Sequence, residues 1–186
     1  MLWWLRIFCV LCLCPLLRAQ STQSQLEGYW LTRKDETPVP SSIIRLFVDK
    51  NGQLAGQVVV GFYDSTAPLP DKTCRRCSAR TVDGQYGVKQ GEDIVGSYSV
   101  WGFNRQDDQT WINGRVVRIK TGQVFKANMT LQSPQQLNVA VRYGIFYKTL
   151  KWERLTEKQV KSICAGDVSS ATSNQSMKSF CVDGLK

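Results

Sequence analysis

An all-β fold is what this sequence predicts: an eight-stranded up-and-down antiparallel barrel with a short helical, disulfide-pinned C-terminal extension. Three observations lead there. Apolar and polar residues alternate with period two through almost every segment from Leu26 to Arg154. Turn signals cut those segments apart at short intervals, which is the spacing of a meander of hairpins. Eight strand candidates are found, and a meander of that size with one apolar face protects its edges best by closing on itself. A two-sheet sandwich is the alternative architecture.

The strands are centred near Trp30, Leu46, Val58, Tyr98, Val116, Ala127, Val139 and Leu150. In the second, Ile44, Leu46 and Val48 alternate with Arg45 and Phe47, and Asn51-Gly52 then reverses the chain as a two-residue hairpin turn. Leu54, Val58 and Val60 read as one side of the third strand, with Gly56 between them. A long excursion from Tyr63 to Asp93 follows, carrying Pro68, Pro70, Cys74 and Cys77. A loop of that length in a small domain is functional or pinned. Beyond Thr121-Gly122, residues Phe125, Ala127, Met129 and Leu131 alternate with Lys126, Asn128 and Thr130. Ser133-Pro134 turns the chain, Leu137, Val139, Val141 and Tyr143 alternate with Asn138, Ala140 and Arg142, and Tyr143-Gly144 marks the next reversal. After Arg154 the period changes: Thr156 and Gln159 have capping-box spacing, and Val160, Ile163 and Cys164 recur at helical intervals. A Ser-rich stretch from Ser169 to Ser176 then leads to a short segment ending at Cys181. The reading is a helix, a loop and a tail pinned by a Cys164–Cys181 bond.

Residues 1–19 have the form of a cleaved secretory signal peptide: one positive charge in Met1 to Arg6, an apolar run from Ile7 to Leu17, and Leu17-Arg18-Ala19 before a polar stretch. The run is shorter than the ~20 residues of a membrane span, although an uncleaved anchor counted from Leu2 is the alternative. Cys14 is preceded by Leu13 rather than a small residue, against a lipid-anchored cysteine. The expected organisation is therefore signal peptide 1–19, barrel domain 20–154 and extension 155–186. The expected location is outside the cytoplasm, periplasmic or secreted, with no transmembrane segment once the signal is removed.

Cleavage leaves four cysteines, Cys74, Cys77, Cys164 and Cys181, an even number in an oxidising compartment. The exported chain carries 22 basic and 15 acidic residues, a formal charge of +7. Such a surface favours anionic partners, or merely keeps the protein in solution. The chain has no histidine, which removes imidazole-relayed nucleophiles, histidine-ligated haem and histidine-based zinc centres.

Gly28-Tyr29-Trp30 opens the first strand and Trp152-Glu153-Arg154 closes the last. The pair resembles the Gly-x-Trp of lipocalin-like barrels, whose indole is covered at the closed end by a basic side chain from the last strand. Trp30 and Arg154 would then form a structural plug, a guanidinium on an aromatic face worth ~0.5 to 2 kcal/mol. The order continues with Ile43-Ile44-Arg45-Leu46, Gly52-Gln53-Leu54-Ala55-Gly56 and Asp71-Lys72-Thr73-Cys74-Arg75-Arg76-Cys77. After these come Ile94-Val95-Gly96, Trp111-Ile112-Asn113-Gly114, Gly122-Gln123-Val124-Phe125 and a final Trp152. From Leu26 to Arg154 this order is similar to the exported bacterial family known as domain of unknown function 2147. The resemblance implies a lipocalin-like barrel outside the cytoplasm and no agreed activity. Two departures stand out: Arg118-Ile119-Lys120 occupies the place of an Asp-Pro turn, and residues 155–186 have no counterpart.

Cys74-Arg75-Arg76-Cys77 admits three readings. Export favours a structural disulfide that pinches the long loop. A redox pair would draw on the flanking arginines to stabilise a thiolate, but no helical period follows Cys77. A metal site would need the thiols at Cys164 and Cys181 as well. Lys72, Arg75, Arg76 and Arg80 make the same loop a candidate phosphate or carboxylate site, or an ordinary solvated loop. Carboxylates are scattered, with no pair spaced for glycosidase-type catalysis. The functional expectation is a non-catalytic, monomeric binding or interaction module without a cofactor, taking a small apolar or amphipathic molecule or an anionic envelope component. No specific nucleic acid is expected as a partner. A thiol-disulfide protein using Cys74 and Cys77, and a basic protein adhering to anionic surfaces, are the alternatives.

Overall fold

The computed structural model describes residues 24–34, 37–78 and 82–185; residues 1–19, expected to be a signal peptide, and Arg80 lie outside them. Alternating side chains and short turns make each strand the hairpin partner of the next. The strands are β1 (Gly28–Arg33), β2 (Pro40–Val48), β3 (Leu54–Asp64), the short pair β4 (Val82–Asp83) and β5 (Tyr86–Gly87), then β6 (Tyr98–Arg105), β7 (Thr110–Arg118), β8 (Gln123–Ser133), β9 (Gln136–Tyr143) and β10 (Phe146–Leu155). Helix α1 (Glu157–Cys164) and β11 (Met177–Cys181) complete the chain. All eight expected strands are present. They close into an antiparallel barrel in the order β1-β2-β3-β6-β7-β8-β9-β10, with β10 returning to β1 through Trp30 opposite Arg154.

Strand β3 does two jobs. Its first half, Leu54 to Gln57, pairs with β6 and completes the barrel wall. Its second half diverges, and Val60 to Asp64 pair instead with β11 from the tail. The sequence reading left that segment as a tail; the structure makes it a strand, in which Met177, Ser179 and Cys181 alternate with Lys178 and Phe180. A register shift lies where Ile43 faces Val60 and Ile44 faces Val58. It reverses the parity of β3, so Val60 lies in a different cluster from Leu54 and does not share its face as simple alternation implies.

Three apolar clusters result. Leu26, Trp30, Leu46, Leu54, Phe103, Trp111, Met129, Leu137 and Trp152 belong to the barrel interior. On the outer face of β1 to β3, Leu31, Ile43, Val60 and Phe62 are covered by Val160 and Ile163 of α1 and by Met177. On the outer face near β6 and β7, Ala55, Trp101 and Val117 are covered by Cys74, Cys77, Tyr86 and Val88 of the excursion. The expectation of one buried and one wet face therefore fails on these strands, whose outer face is covered by the tail or the loop. Helix α1 starts at the expected capping box: Gln159 N–H donates to the Thr156 hydroxyl, and Thr156 N–H donates to Gln159 Oε1 at 2.8 Å.

Candidate functional site

The two ends of the barrel differ. At one end lie the start of β1, the β2–β3, β6–β7 and β8–β9 turns, and the end of β10. Here the Arg154 guanidinium sits 4.2 Å from the centre of the Trp30 ring. It donates to the carbonyls of Pro134 at 2.7 Å and Glu27 at 2.8 Å, and to that of Gln25. Trp30 Nε1–H donates to Leu26 O at 2.8 Å. Burial pushes the Arg154 guanidinium down from its ordinary value, while the carbonyls it binds offset the cost of covering it. Gly28 has φ of 123°, and a Cβ there would lie 2.9 Å from Arg154 Nη1. The Gly of Gly-x-Trp is thus required by backbone conformation and by the guanidinium.

At the other end a cleft of about 1080 Å³ opens, at the upper edge of ordinary small-molecule sites. Ser42 and Val58 reach it from the inward face of β2 and β3; the Thr32 and Ser42 hydroxyls there are 2.8 Å apart. Gly61, Phe62, Ile94, Val95 and Phe180 supply apolar walls. Lys34, Lys72, Arg75, Arg76 and Lys120 bring positive charge, against Asp71, Asp93 and Asp183.

Local pairing holds the basic loop in place. Ile94 N–H donates to Lys72 O at 2.8 Å, Cys74 N–H to Glu92 O at 2.9 Å, and Gly91 N–H to Cys74 O at 3.0 Å. Gly122 in the β7–β8 turn has φ of 67° and passes so close to the loop that a Cβ there would lie 2.0 Å from Arg76 O. The tail meets the loop across the cleft: Phe180 stacks on Tyr63 with centroids 4.4 Å apart, and Lys72 Nζ stands 4.5 Å over the Phe180 ring.

Of the expected anion-binding residues, the structure brings Lys72, Arg75 and Arg76 to one cleft. They are not equivalent. Arg75 pairs with Asp71 at 2.7 Å, whereas Arg76 has no ion pair among the described residues. Sequence reasoning missed Lys34, Lys120 and Phe180, which come from the β1–β2 loop, the β7–β8 turn and the tail. Only the period-two pattern of residues 177–181 could have pointed to Phe180.

Cys74 is joined to Cys77 and Cys164 to Cys181, with Cα separations of 5.5 and 5.8 Å. Cys74 and Cys77 are 1% and 2% exposed, so packing of the loop shields both sulfurs from an incoming thiolate. Among the described residues no cluster of three cysteines and carboxylates is placed to hold a metal, and no helix is long and apolar enough to cross a membrane.

The family model described as an uncharacterized protein conserved in bacteria (DUF2147) matches residues 28–154. This chain is a DUF2147 protein. The match begins at Gly28 and ends at Arg154, the residues that meet at the closed end. Among curated proteins no sequence matches this DUF2147 chain. A solved structure described as protein HP1028 from the human pathogen Helicobacter pylori, belonging to the lipocalin family, matches with a TM-score of 0.56 and 15% identity. That likeness covers 86% of this chain and 94% of the other, and it is a likeness of fold. The closed barrel, short helix and Cys164–Cys181 bond of this DUF2147 protein are thus set on a lipocalin-like frame.

Proposed function

We propose that this protein is an exported, monomeric binding module whose ligand is a small amphipathic molecule with an anionic head. One observation carries the reading: the cleft at the open end joins an apolar floor and wall, Val58, Phe62, Val95 and Phe180, to the cations Lys72, Arg76 and Lys120. An aliphatic or aromatic body would leave water against the wall, and its carboxylate or phosphate would sit among the cations. The interior beneath is occupied by Trp30, Phe103 and Trp111, each at most 2% exposed. The ligand therefore lies in the mouth and not deep in the barrel. Retention of four cysteines as two disulfides favours a compartment outside the cytoplasm.

The test uses a fluorescent fatty-acid analogue with a free carboxylate and its methyl ester. The acid is expected to bind more tightly than the ester, and Lys72→Glu with Arg76→Glu is expected to weaken the acid by at least about tenfold while leaving the ester unchanged. Equal binding of acid and ester, or of wild type and variant, would refute the anionic head; binding of neither would refute the cleft as a ligand site.

A further inference from the structure

The turn joining β9 to β10, at the open end of the barrel, is built from residues unlike those of an ordinary solvated hairpin. Gly144, with φ of 61°, takes the left-handed position at the first place of the two-residue turn. Around it, Ile145, Phe146 and Tyr147 are 82%, 72% and 59% exposed, where turns ordinarily carry Asn, Asp, Ser or Gly. Tyr143 behind them leans on Phe125, with ring centroids 4.5 Å apart, so the three outer side chains project from a supported base.

The charge of the molecule is concentrated behind this tip. From Gln109 to Trp152 there is no Asp or Glu and there are seven Lys and Arg. The rest of the chain from Gln20 onward carries fifteen of each sign, so the whole formal excess of +7 lies on β7 to β10. Cations even face each other across strands. Arg115 is opposite Lys126, and Arg142, one step beyond the Ala127–Val141 pair, is next in the same row and opposite Tyr147. Like charges placed this way are destabilising. Asp83 neutralises Arg115, but Lys126 and Arg142 have no ion pair among the described residues. An external anionic surface would relieve the repulsion.

We infer that the Tyr143–Tyr147 hairpin is a docking tip for an anionic lipid bilayer. Ile145, Phe146 and Tyr147 enter the boundary between headgroups and acyl chains, and Lys126 and Arg142 meet the lipid phosphates. Three projecting apolar residues are too few for a stable protein–protein interface, which needs upwards of about 1,000 Å² of buried surface. They suffice for interfacial anchoring when cations add to them, since aromatic rings and basic side chains both favour the headgroup level. Docking would turn the cleft mouth toward the bilayer. The inference stands on residues other than those of the ligand reading.

The experiment uses the chain from Gln20, which retains every strand and α1, with vesicles of phosphatidylcholine alone or mixed with phosphatidylglycerol. Co-flotation is expected only with the mixed vesicles and is expected to fall as salt rises. Ile145→Ser with Phe146→Ser should weaken it by at least about tenfold, because two apolar side chains no longer leave water. Lys126→Gln with Arg142→Gln should weaken it and flatten the salt dependence. A Phe146→Trp variant should shift its emission to the blue on the mixed vesicles and be quenched by brominated acyl chains. Absence of binding, equal binding to both vesicle types, undiminished binding by the Ser variant, or a water-like emission from the indole of the Phe146→Trp variant would each overturn the inference. Binding of the fluorescent fatty acid in the absence of vesicles should be the same in the Ser variant as in the wild type, so the two proposals fail separately.

Discussion

Replacing Gly114 by alanine tests whether the barrel is filled at mid-height, which confines any ligand to the mouth. A Cβ at Gly114 would lie 2.0, 2.1 and 2.2 Å from Cδ2, Cγ and Cε2 of Phe103, whereas carbon atoms in contact stand ~3.5 to 4.0 Å apart. The ring must therefore move by more than about 1 Å. It has little room, because Phe103 is fully buried in the cluster that holds Leu54, Trp111 and Met129. The β6–β7 ladder is interrupted here, between the Trp101–Arg115 and Asn104–Ile112 pairs, with Gly102 and Asn113 at φ of 72° and 62°. The overpacking should cost about 2 to 3 kcal/mol. Phe103→Ala alone should cost about 3 to 5 kcal/mol by opening a cavity. In the double variant the new methyl meets that cavity instead of a ring, so its cost should fall short of the sum of the two single costs by about 1 to 3 kcal/mol. Urea titration followed by tryptophan fluorescence reads this as a midpoint shift of about 1 M for Gly114→Ala at unchanged slope. A neutral Gly114→Ala, or strictly additive costs, would mean that the ring does not cover Gly114 and that the interior is open further down than the cleft.

Two further outcomes are expected. Cys164→Ser with Cys181→Ser removes a bond spanning 17 residues and should cost about 3 kcal/mol; hydrogen exchange measured by mass spectrometry should accelerate in Met177–Cys181 while β8 and β9 are unchanged. The Arg33 guanidinium, bonded to Glu153 at 2.7 Å, holds that carboxyl below its ordinary value of 4.5. The stability from this pair is complete above that value and is lost as the pH falls through the lowered folded value. Because Glu153 is half exposed, the loss should be less than about 1 kcal/mol, and Glu153→Gln should remove that part of the acid dependence seen in denaturant titrations at successive pH values.

Period-two alternation and turn residues made the eight barrel strands legible, because a strand with one apolar face declares itself residue by residue. Asn51-Gly52 and Tyr143-Gly144 mark hairpins for a local reason, the left-handed backbone that glycine allows, although the first turn holds three residues, Lys50 to Gly52, between Asp49 and Gln53 and not the two expected. The ordered resemblance from Gly28 to Arg154 carried the lipocalin-like frame. The strand Met177–Cys181 was not legible: five residues show a period too briefly, and their partners on β3 are more than a hundred residues away. Nor did alternation show that the outer faces of β1 to β3 and of β6 and β7 are covered, since an apolar residue such as Leu31 or Trp101 reads the same whether a helix, a loop or water lies over it.

By itself, then, the sequence determined the barrel strands and their turns, which depend on neighbours along the backbone, together with the charge of the chain and its four cysteines beyond residue 19. Tertiary structure decided the rest. The register shift opposite Ile43 and Ile44 sent half of β3 out of the barrel and gave β11 an edge to pair with. That divergence set Phe180 under Lys72, and it opened the cleft where the β1–β2 loop, the cysteine loop, the β7–β8 turn and the tail converge. A site whose members come from four separated segments has no signature along the chain, because what unites them is the closure of the barrel in space.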